Sequence, residues 1–267
     1  MKGPEQLLEN EDHWVTRMGL SFPGERVVFR GKDLLNDLKN MPWMGLLLYG
    51  ITGREFNESQ IRLFEGIWVL SSSYPDPRLW NNRVASLAGT ARSTGSLGIG
   101  ASIAVSEASI YGQRPVIRCI DFLQRTKIKL DAGAELAGLI HEDIRKYRGI
   151  PGYGRPIVSR DERIAPMIKL AEEVGLSGGA HFKLAFQVDE VLAEKRLRMR
   201  MNIAAVGAAL AADMEFSSRE YYMFTIMCFT AGMFPCMIEA GEKTEGTFLP
   251  VRCERIAYQG IPRRVWR

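Results

Sequence analysis

From Arg83 to Ile110 the chain runs RVASLAGTARSTGSLGIGASIAVSEASI, a segment dominated by Ala, Gly and Ser. Side chains this small let helix axes approach closely, because interaxial distance follows the side chains at the contact. The segment therefore belongs in a central helix-packing layer. A second stretch of the same kind, IAAVGAALAADM, occupies 203–214. Between them KLAFQVDEVLAEKRLRMR (183–200) reads as an amphipathic helix, with Leu184, Val188, Val191 and Leu192 on one face.

Other segments follow the same helical pattern. NESQIRLFEGIWVLSSS opens with capping signals at Asn57 and Ser59 and repeats apolar residues at Ile61, Phe64, Ile67 and Trp68. Asp33 is placed to cap a helix over LLNDLKN. Residues 13–33 read as extended and turn-rich, with a short strand at Val27, Val28 and Phe29. There is no βαβ alternation, no glycine-rich phosphate loop after a strand and no internal repeat. The expected fold is all-α with a minor N-terminal strand pair. Turn-rich stretches at 111–121 and near Asn202 suggest a large domain of 1–111 and 203–267 and a small domain of 112–202.

Composition narrows the function classes. The 267 residues are 46% hydrophobic and 25% charged, enough for one large domain or two closely packed ones. A formal charge of +4 does not argue for nucleic acid, but suits a small anion if the arginines cluster. Cys119, Cys228, Cys236 and Cys253 form no CxxC pair and only three histidines exist, so no metal site is expected. Scattered cysteines fit a reducing, cytoplasmic setting. MKGPEQLLENEDHW lacks the apolar core of a secretory signal. The apolar run Tyr221–Ala240 is interrupted by Gly232 and Pro235, so it is expected as a buried core helix and no membrane partner is expected.

Ser/His/Asp catalysis has little support. His141 sits in a helical pattern beside Glu142 and Asp143, His181 opens a helix after two glycines, and His13 precedes Trp14 near the N-terminus. The loop GIPGYGRPIVSRDER (149–163) is more informative. Its glycines permit close backbone approach to a ligand, and Pro151 and Pro156 fix its path. Arg155, Arg160 and Arg163 offer guanidinium forks suited to carboxylate or phosphate. Arg114 and Arg118 form a second cationic pair, and VRCERIAYQGIPRRVWR adds five arginines at the end of the chain. On charge pattern alone, both the loop and the tail are equally readable as solvated surface.

Eight segments in order carry a resemblance: HWVTRMG, RGKDLLNDL, LLLYGITGREF, PDPRLWNNRVASLAGTARST, SIYGQRP, IPGYGRPIVSRDER, MNIAAVGAALAADMEF and RIAYQG. Together they resemble the citrate synthase superfamily, in particular its short citryl-CoA lyase-like members, over nearly the whole chain. The resemblance implies a helical large and small domain, a homodimer, a site in the domain cleft and a C-terminal contribution from the other subunit. It also implies carbon–carbon chemistry between an acyl-CoA and a keto acid. Coenzyme A enters as the thioester substrate, with no permanently bound cofactor.

The carry-over of catalytic residues breaks down. The family's first histidine, in a Leu-His-Gly-Gly turn, matches Tyr111 in IYGQ; its second, in Gly-Phe-Gly-His-Pro, matches Arg155 in GYGRP. The aspartate of Asn-Val-Asp-Gly matches Ala204, with Asn202 retained, and a later arginine matches Thr230. The arginine of the Asp-Pro-Arg turn survives as Arg163. The resemblance thus implies Tyr111, Arg155 and Asn202 as the rebuilt catalytic set. Arg163, Arg114 and Arg160 fall to the carboxylate substrate, and Pro151, Gly152, Tyr153 and Gly154 to coenzyme A. Ala204 takes no proton and Arg155 is permanently charged, which argues against ordinary citrate synthase chemistry. A replacement acid or base is left open among Asp161, Glu107, Asp76 and His181.

Two functions fit. One is an enzyme acting on an acyl-CoA and a carboxylate through an enolate. The other is a catalytically inactive ligand-binding or regulatory subunit, paired with an active paralogue. The replacements favour the enzyme, because tyrosine and arginine keep hydrogen-bonding chemistry that inert decay to Ala or Ser would lose.

Overall fold

The computed structural model describes residues 3–109, 112–154, 161–195, 197, 199–244 and 251–261. The chain divides into two compact units, one of Met1–Leu70 with Val116–Phe224, the other of Ser71–Pro115 with Thr225–Arg267. The expected cut near Asn202 falls inside the first unit. The reason is local: the Asn202 N–H donates to Gly152 O at 2.9 Å, tying both sides of that position together.

The first unit begins with helix α1 (Pro4–Glu9) and an antiparallel sheet of β1 (Gly19–Phe22), β2 (Arg26–Phe29) and β3 (Lys32–Asp33) in the order β1-β2-β3. Gly19 faces Phe29, and Val28 faces Leu20 on one side and Asp33 on the other. The expected strand pair thus gains a third strand. The helix expected after Asp33 does not form. The Asp33 carboxylate accepts from the N–H of Leu35 (2.9 Å) and from Asn36 Nδ2 (2.9 Å), closing a local turn. Such short-range bonds compete with a helix for the same backbone donors.

Helices α2 (Trp43–Thr52) and α3 (Glu58–Ser71) follow. A reciprocal cap opens α3: Gln60 N–H donates to Asn57 Oδ1 (2.9 Å) and Asn57 N–H to Gln60 Oε1 (3.0 Å). After the crossing into the second unit and back come α6 (Gln113–Asp131), α7 (Leu136–Tyr147), α8 (Ile164–Glu173), α9 (Ala180–Glu194), α10 (Ile203–Asp213) and α11 (Ser218–Cys228). The amphipathic helix expected over 183–200 ends at Glu194, where Lys195 and Leu197 N–H groups close onto Val191 and Leu192 carbonyls. It buries Leu184, Val188 and Leu192 as the pattern requires. Of α10, every residue from Ala205 to Ala212 is buried. An aromatic cluster fills the core beside it, with Phe64 at 4.6 Å from Phe216 and 5.1 Å from Phe224 between ring centroids.

The second unit holds the Ala/Gly/Ser segment as α4 (Trp80–Thr90) and α5 (Gly95–Ser106), packed with α12 (Met233–Glu242). A side chain at Gly89 would overlap the Met237 carbonyl; one at Gly98 would stand 2.8 Å from Ala88 Cβ and 2.9 Å from Met237 Cε. The small residues are therefore required by backbone approach. Ser218–Glu242 is long and apolar enough to cross a membrane by composition. Turns at 229–232 divide it into two helices of 11 and 10 residues, each short of the roughly 20 needed to span a bilayer.

Replacing Gly89 with Ala forces the α4–α12 contact apart and is expected to cost about 2–3 kcal/mol. Gly138→Ala, on the exposed side of α7 with only Glu135 Oε2 at 3.7 Å, is expected to stabilise by about 0.5–1 kcal/mol. Urea denaturation midpoints of the two variants, shifted in opposite directions, check the assignment.

Candidate functional site

In the first unit the loop Ile150–Gly154 is bound to the start of α10. Gly154 N–H donates to Arg200 O (2.6 Å), Asn202 N–H to Gly152 O (2.9 Å) and Asn202 Nδ2 to Gly154 O (2.8 Å). The Asn202 Oδ1 accepts from the Ala204 N–H at 2.9 Å, which makes it the N-cap of α10. Gly152 has φ 85° and packs so closely that a Cβ would overlap Cys119 Sγ. Position 152 thus requires glycine on both conformational and steric grounds. Burial pushes the Cys119 thiol up to about 12, leaving it a packing group.

This geometry assigns different work to several sequence-derived candidates. Tyr153 is 5% exposed and its hydroxyl donates to Ala185 O at 2.8 Å, so its ring anchors the loop from inside rather than facing a ligand. Burial raises its pKa well above the ordinary phenol value. Asn202 spends its amide on the cap and on Gly154, which makes it a positioning residue. Ala204 lies in the first turn of α10, half-buried, presenting a methyl group. Pro151 is half-buried, and Gly154, at φ 128°, has open space where a Cβ would be. Tyr111, Arg155 and Arg160 lie outside the described residues.

Asp161 and Arg163 do come together. Arg163 donates from Nε to Asp161 Oδ1 and from Nη2 to Oδ2, each at 2.9 Å. Asp161 Oδ2 also accepts from the Ile203 N–H (2.8 Å) at the N-terminus of α10. Burial alone would raise the Asp161 pKa; the Arg163 fork and the Ile203 and Arg163 N–H groups outweigh it and hold the carboxyl low. Arg163 keeps its second terminal nitrogen, Nη1, outside that pair, and its side chain is 22% exposed. Beside this pair lies a groove of about 750 Å³ lined by Asp161, Ile164, Ile168, Phe186, Asp189, Arg200 and Met201. Asp189 and Arg200 pair across its edge at 2.5 Å.

The remaining acid–base candidates are held elsewhere. His181 Nδ1 lies 2.9 Å from Asp213 Oδ1, and the Asp213 carboxylate also accepts from the His181 and Phe182 N–H groups. Burial would raise the Asp213 pKa, but the bonds from His181 and Phe182 lower it. Asp213 thus caps α9 from the C-terminal end of α10. Nine residues separate it from Ala204, about 14 Å at the helical rise. In the second unit Asp76 takes the Arg78 guanidinium and stays low, Arg114 lies 3.8 Å from Glu107, and Thr230 turns its hydroxyl onto Met227 O at 2.7 Å. The His181–Asp213 pair spans 32 residues, and helix periodicity carries no sign of it.

No protein-family model matches the sequence, and no curated protein matches it. Solved structures do. Citryl-CoA lyase from Hydrogenobacter thermophilus aligns over 95% of this chain and 97% of its own, with a TM-score of 0.82 and 20% identity. An aspartate-to-alanine variant of Methanosaeta concilii ATP citrate lyase, in complex with (3S)-citryl-CoA, aligns over 98% of this chain and 45% of its own, with a TM-score of 0.76 and 17% identity. Citrate synthase from Thermoplasma acidophilum, in a ternary complex with carboxymethyl coenzyme A and oxaloacetate, aligns over 85% and 59%, with a TM-score of 0.63 and 15% identity.

Asp161 contributes stability that is fully present above the ordinary carboxylate pKa near 4 and is lost as pH falls through its lower folded value. Asp161→Asn is therefore expected to cost about 3 kcal/mol at pH 7, since it leaves Arg163 without its partner. In urea titrations the gap between variant and native protein narrows below pH 4.

Helix order, the small N-terminal sheet and the near-complete mutual coverage with citryl-CoA lyase give this chain the citrate synthase fold in its short form.

Proposed function

We propose that the protein acts on an acyl-CoA thioester and a small carboxylate, making or breaking a carbon–carbon bond through an enolate, in a site whose proton-transfer residues have been replaced. The observation that carries this is the match of 95% of the chain to a citryl-CoA lyase. The other neighbours are named as complexes with citryl-CoA, or with carboxymethyl coenzyme A and oxaloacetate, which are CoA thioesters, their analogues and carboxylates. In this scheme the backbone of Pro151, Gly152 and Gly154 borders coenzyme A, and Arg163 offers its free nitrogen to a carboxylate. Tyr111 donates a hydrogen bond to the enolate oxygen, and Arg155 holds its charge. Substrate carboxylate is also met by Arg114 and Arg160.

A second reading has its own support. Among the described residues, Asp161, Asp76 and Glu107 face arginines, and position 204 carries only a methyl group. That arrangement suits a non-catalytic subunit that binds the same ligands beside an active paralogue. Turnover separates the two. With a panel of acyl-CoAs, with and without keto acids, the enzyme releases thiol or takes up solvent deuterium at the α-carbon. Tyr111→Phe and Arg155→Ala then lower the rate at least tenfold while coenzyme A still binds. Binding without turnover or exchange across the panel leaves the non-catalytic subunit.

A homodimer fits the apolar surface of the second unit. Phe234 and Ile238, one turn apart on α12, are 52% and 61% exposed, and Leu97 on α5 is 69% exposed. Sedimentation is expected to give a dimer for the native protein and a monomer for Ile238→Asp.

A further inference from the structure

One face of the N-terminal sheet is left uncovered. Phe29, on β2, turns to α2, where its ring centroid lies 6.0 Å from that of Tyr49. Alternation along the strand sends Arg26 and Val28 to the opposite face, and the register sets Leu20 against Val28 and Phe22 against Arg26. An antiparallel sheet with one solvated face carries polar residues on that face. Here Leu20, Phe22 and Val28 occupy it instead. With Trp14, Arg17 and Arg26 they line a groove of about 510 Å³. Both arginines are exposed, and among the described residues neither forms an ion pair. The Arg26 guanidinium lies over the Phe22 ring, 4.8 Å from its centroid.

Helix α1 carries the complementary chemistry. It has no buried residue, and every residue from Gly3 to Met18 is exposed. Isolated helices shorter than about 12–15 residues are marginal in water, because few hydrogen bonds offset the cost of nucleation. A helix of six residues therefore needs a surface to rest on, and its own protomer supplies none. Glu5, Leu8 and Glu9 stand at i, i+3 and i+4, on one side of the helix. Among the described residues, Glu5 and Glu9 form no ion pair. Two carboxylates flanking a leucine thus match two guanidinium groups flanking an apolar floor. Only residues 10–13 separate α1 from Trp14, and no residue before Trp14 lines the groove of the same chain.

We propose that α1 of a second copy of this chain docks in the groove, with Leu8 on the floor of Leu20, Phe22 and Val28 and with Glu5 and Glu9 towards Arg17 and Arg26. The contact is separate from the apolar face of α12 and independent of the CoA reading. One short helix buries far less than the roughly 1,200 Å² of a stable interface. The contact is therefore weak alone, and Ile238→Asp still sediments as a monomer.

Disulfide trapping, which captures weak contacts, tests this on full-length chains. Cys253, the exposed cysteine, is first replaced by Ser. Leu8→Cys is placed in one chain and Leu20→Cys in a second chain with a different tag, and the two are mixed under mild oxidation. A crosslinked pair of the two chains is expected. Leu35→Cys replaces Leu20→Cys as the control, since Leu35 is 56% exposed against 58% for Leu20 and lies outside the groove. Arg26→Glu is expected to lower the crosslinked yield about fivefold, and Glu9→Arg in the other chain to restore it. Yields no higher than the Leu35 control overturn the proposal. So does a crosslink that forms only when both cysteines share one chain, which shows α1 folding back onto its own groove. Yields indifferent to Arg26→Glu also overturn it, because charge is what selects α1 as the occupant.

Discussion

The buried Asp161 carboxylate holds three parts of the first unit in register. Its oxygens accept from the Arg163 fork, from the Arg163 N–H and from the Ile203 N–H. A buried carboxylate unpaired would be neutral; here the guanidinium and the start of α10 supply enough positive potential to keep it ionised. The same α10 terminus receives Asn202, which caps the helix and reaches back to Gly154. Loop, helix start and the Asp161–Arg163 turn therefore move as one piece. The groove between Asp161 and Met201 inherits its shape from that piece.

Arginine elsewhere in the fold does a second job. Arg30 donates to Gly50 O and Ile51 O near the end of α2, Arg54 to Met214 O and Glu215 O beyond α10, and Arg92 to Gly241 O and Lys243 O at the end of α12. Each satisfies carbonyls that a helix terminus leaves without partners. Arg54 also lies over the rings of Phe56 and Phe216, at 5.4 and 5.2 Å from their centroids. Much of the basic excess is thus structural.

What was legible in the sequence follows the range of the forces involved. The small-residue helices, the cap at Asn57 and the buried stripe of α9 depend on residues within a few positions of one another, and local pattern exposes them, although the partner of Asn57 is Gln60 and not Ser59. The Asp33 turn failed for the same reason, since a carboxylate bonding two residues ahead looks like a helix cap until the following N–H groups are placed. Long-range pairs were invisible. Nothing near Arg54 points to Met214, 160 positions away, or near His181 to Asp213. The resemblance gives Tyr153 to coenzyme A, yet its ring turns inward, where the hydroxyl donates to Ala185 O.

The alanine at position 204 bears on the electrostatics at the start of α10. A carboxylate in the first turn of α10 would offset the positive end of that helix and repel an incoming carboxylate or enolate. A methyl group there adds no charge, and the first N–H groups of the helix are already taken, Ile203 by the ionised Asp161 and Ala204 by Asn202 Oδ1. Under the proposed function position 204 offers nothing that removes a proton from a substrate. Chemistry that begins without α-proton abstraction, such as cleavage of a carbon–carbon bond or loss of carbon dioxide from an acyl-CoA carboxylate, then suits the site better. Arg163, its charge balanced by Asp161, has one nitrogen outside that pair for a carboxylate under the proposed function.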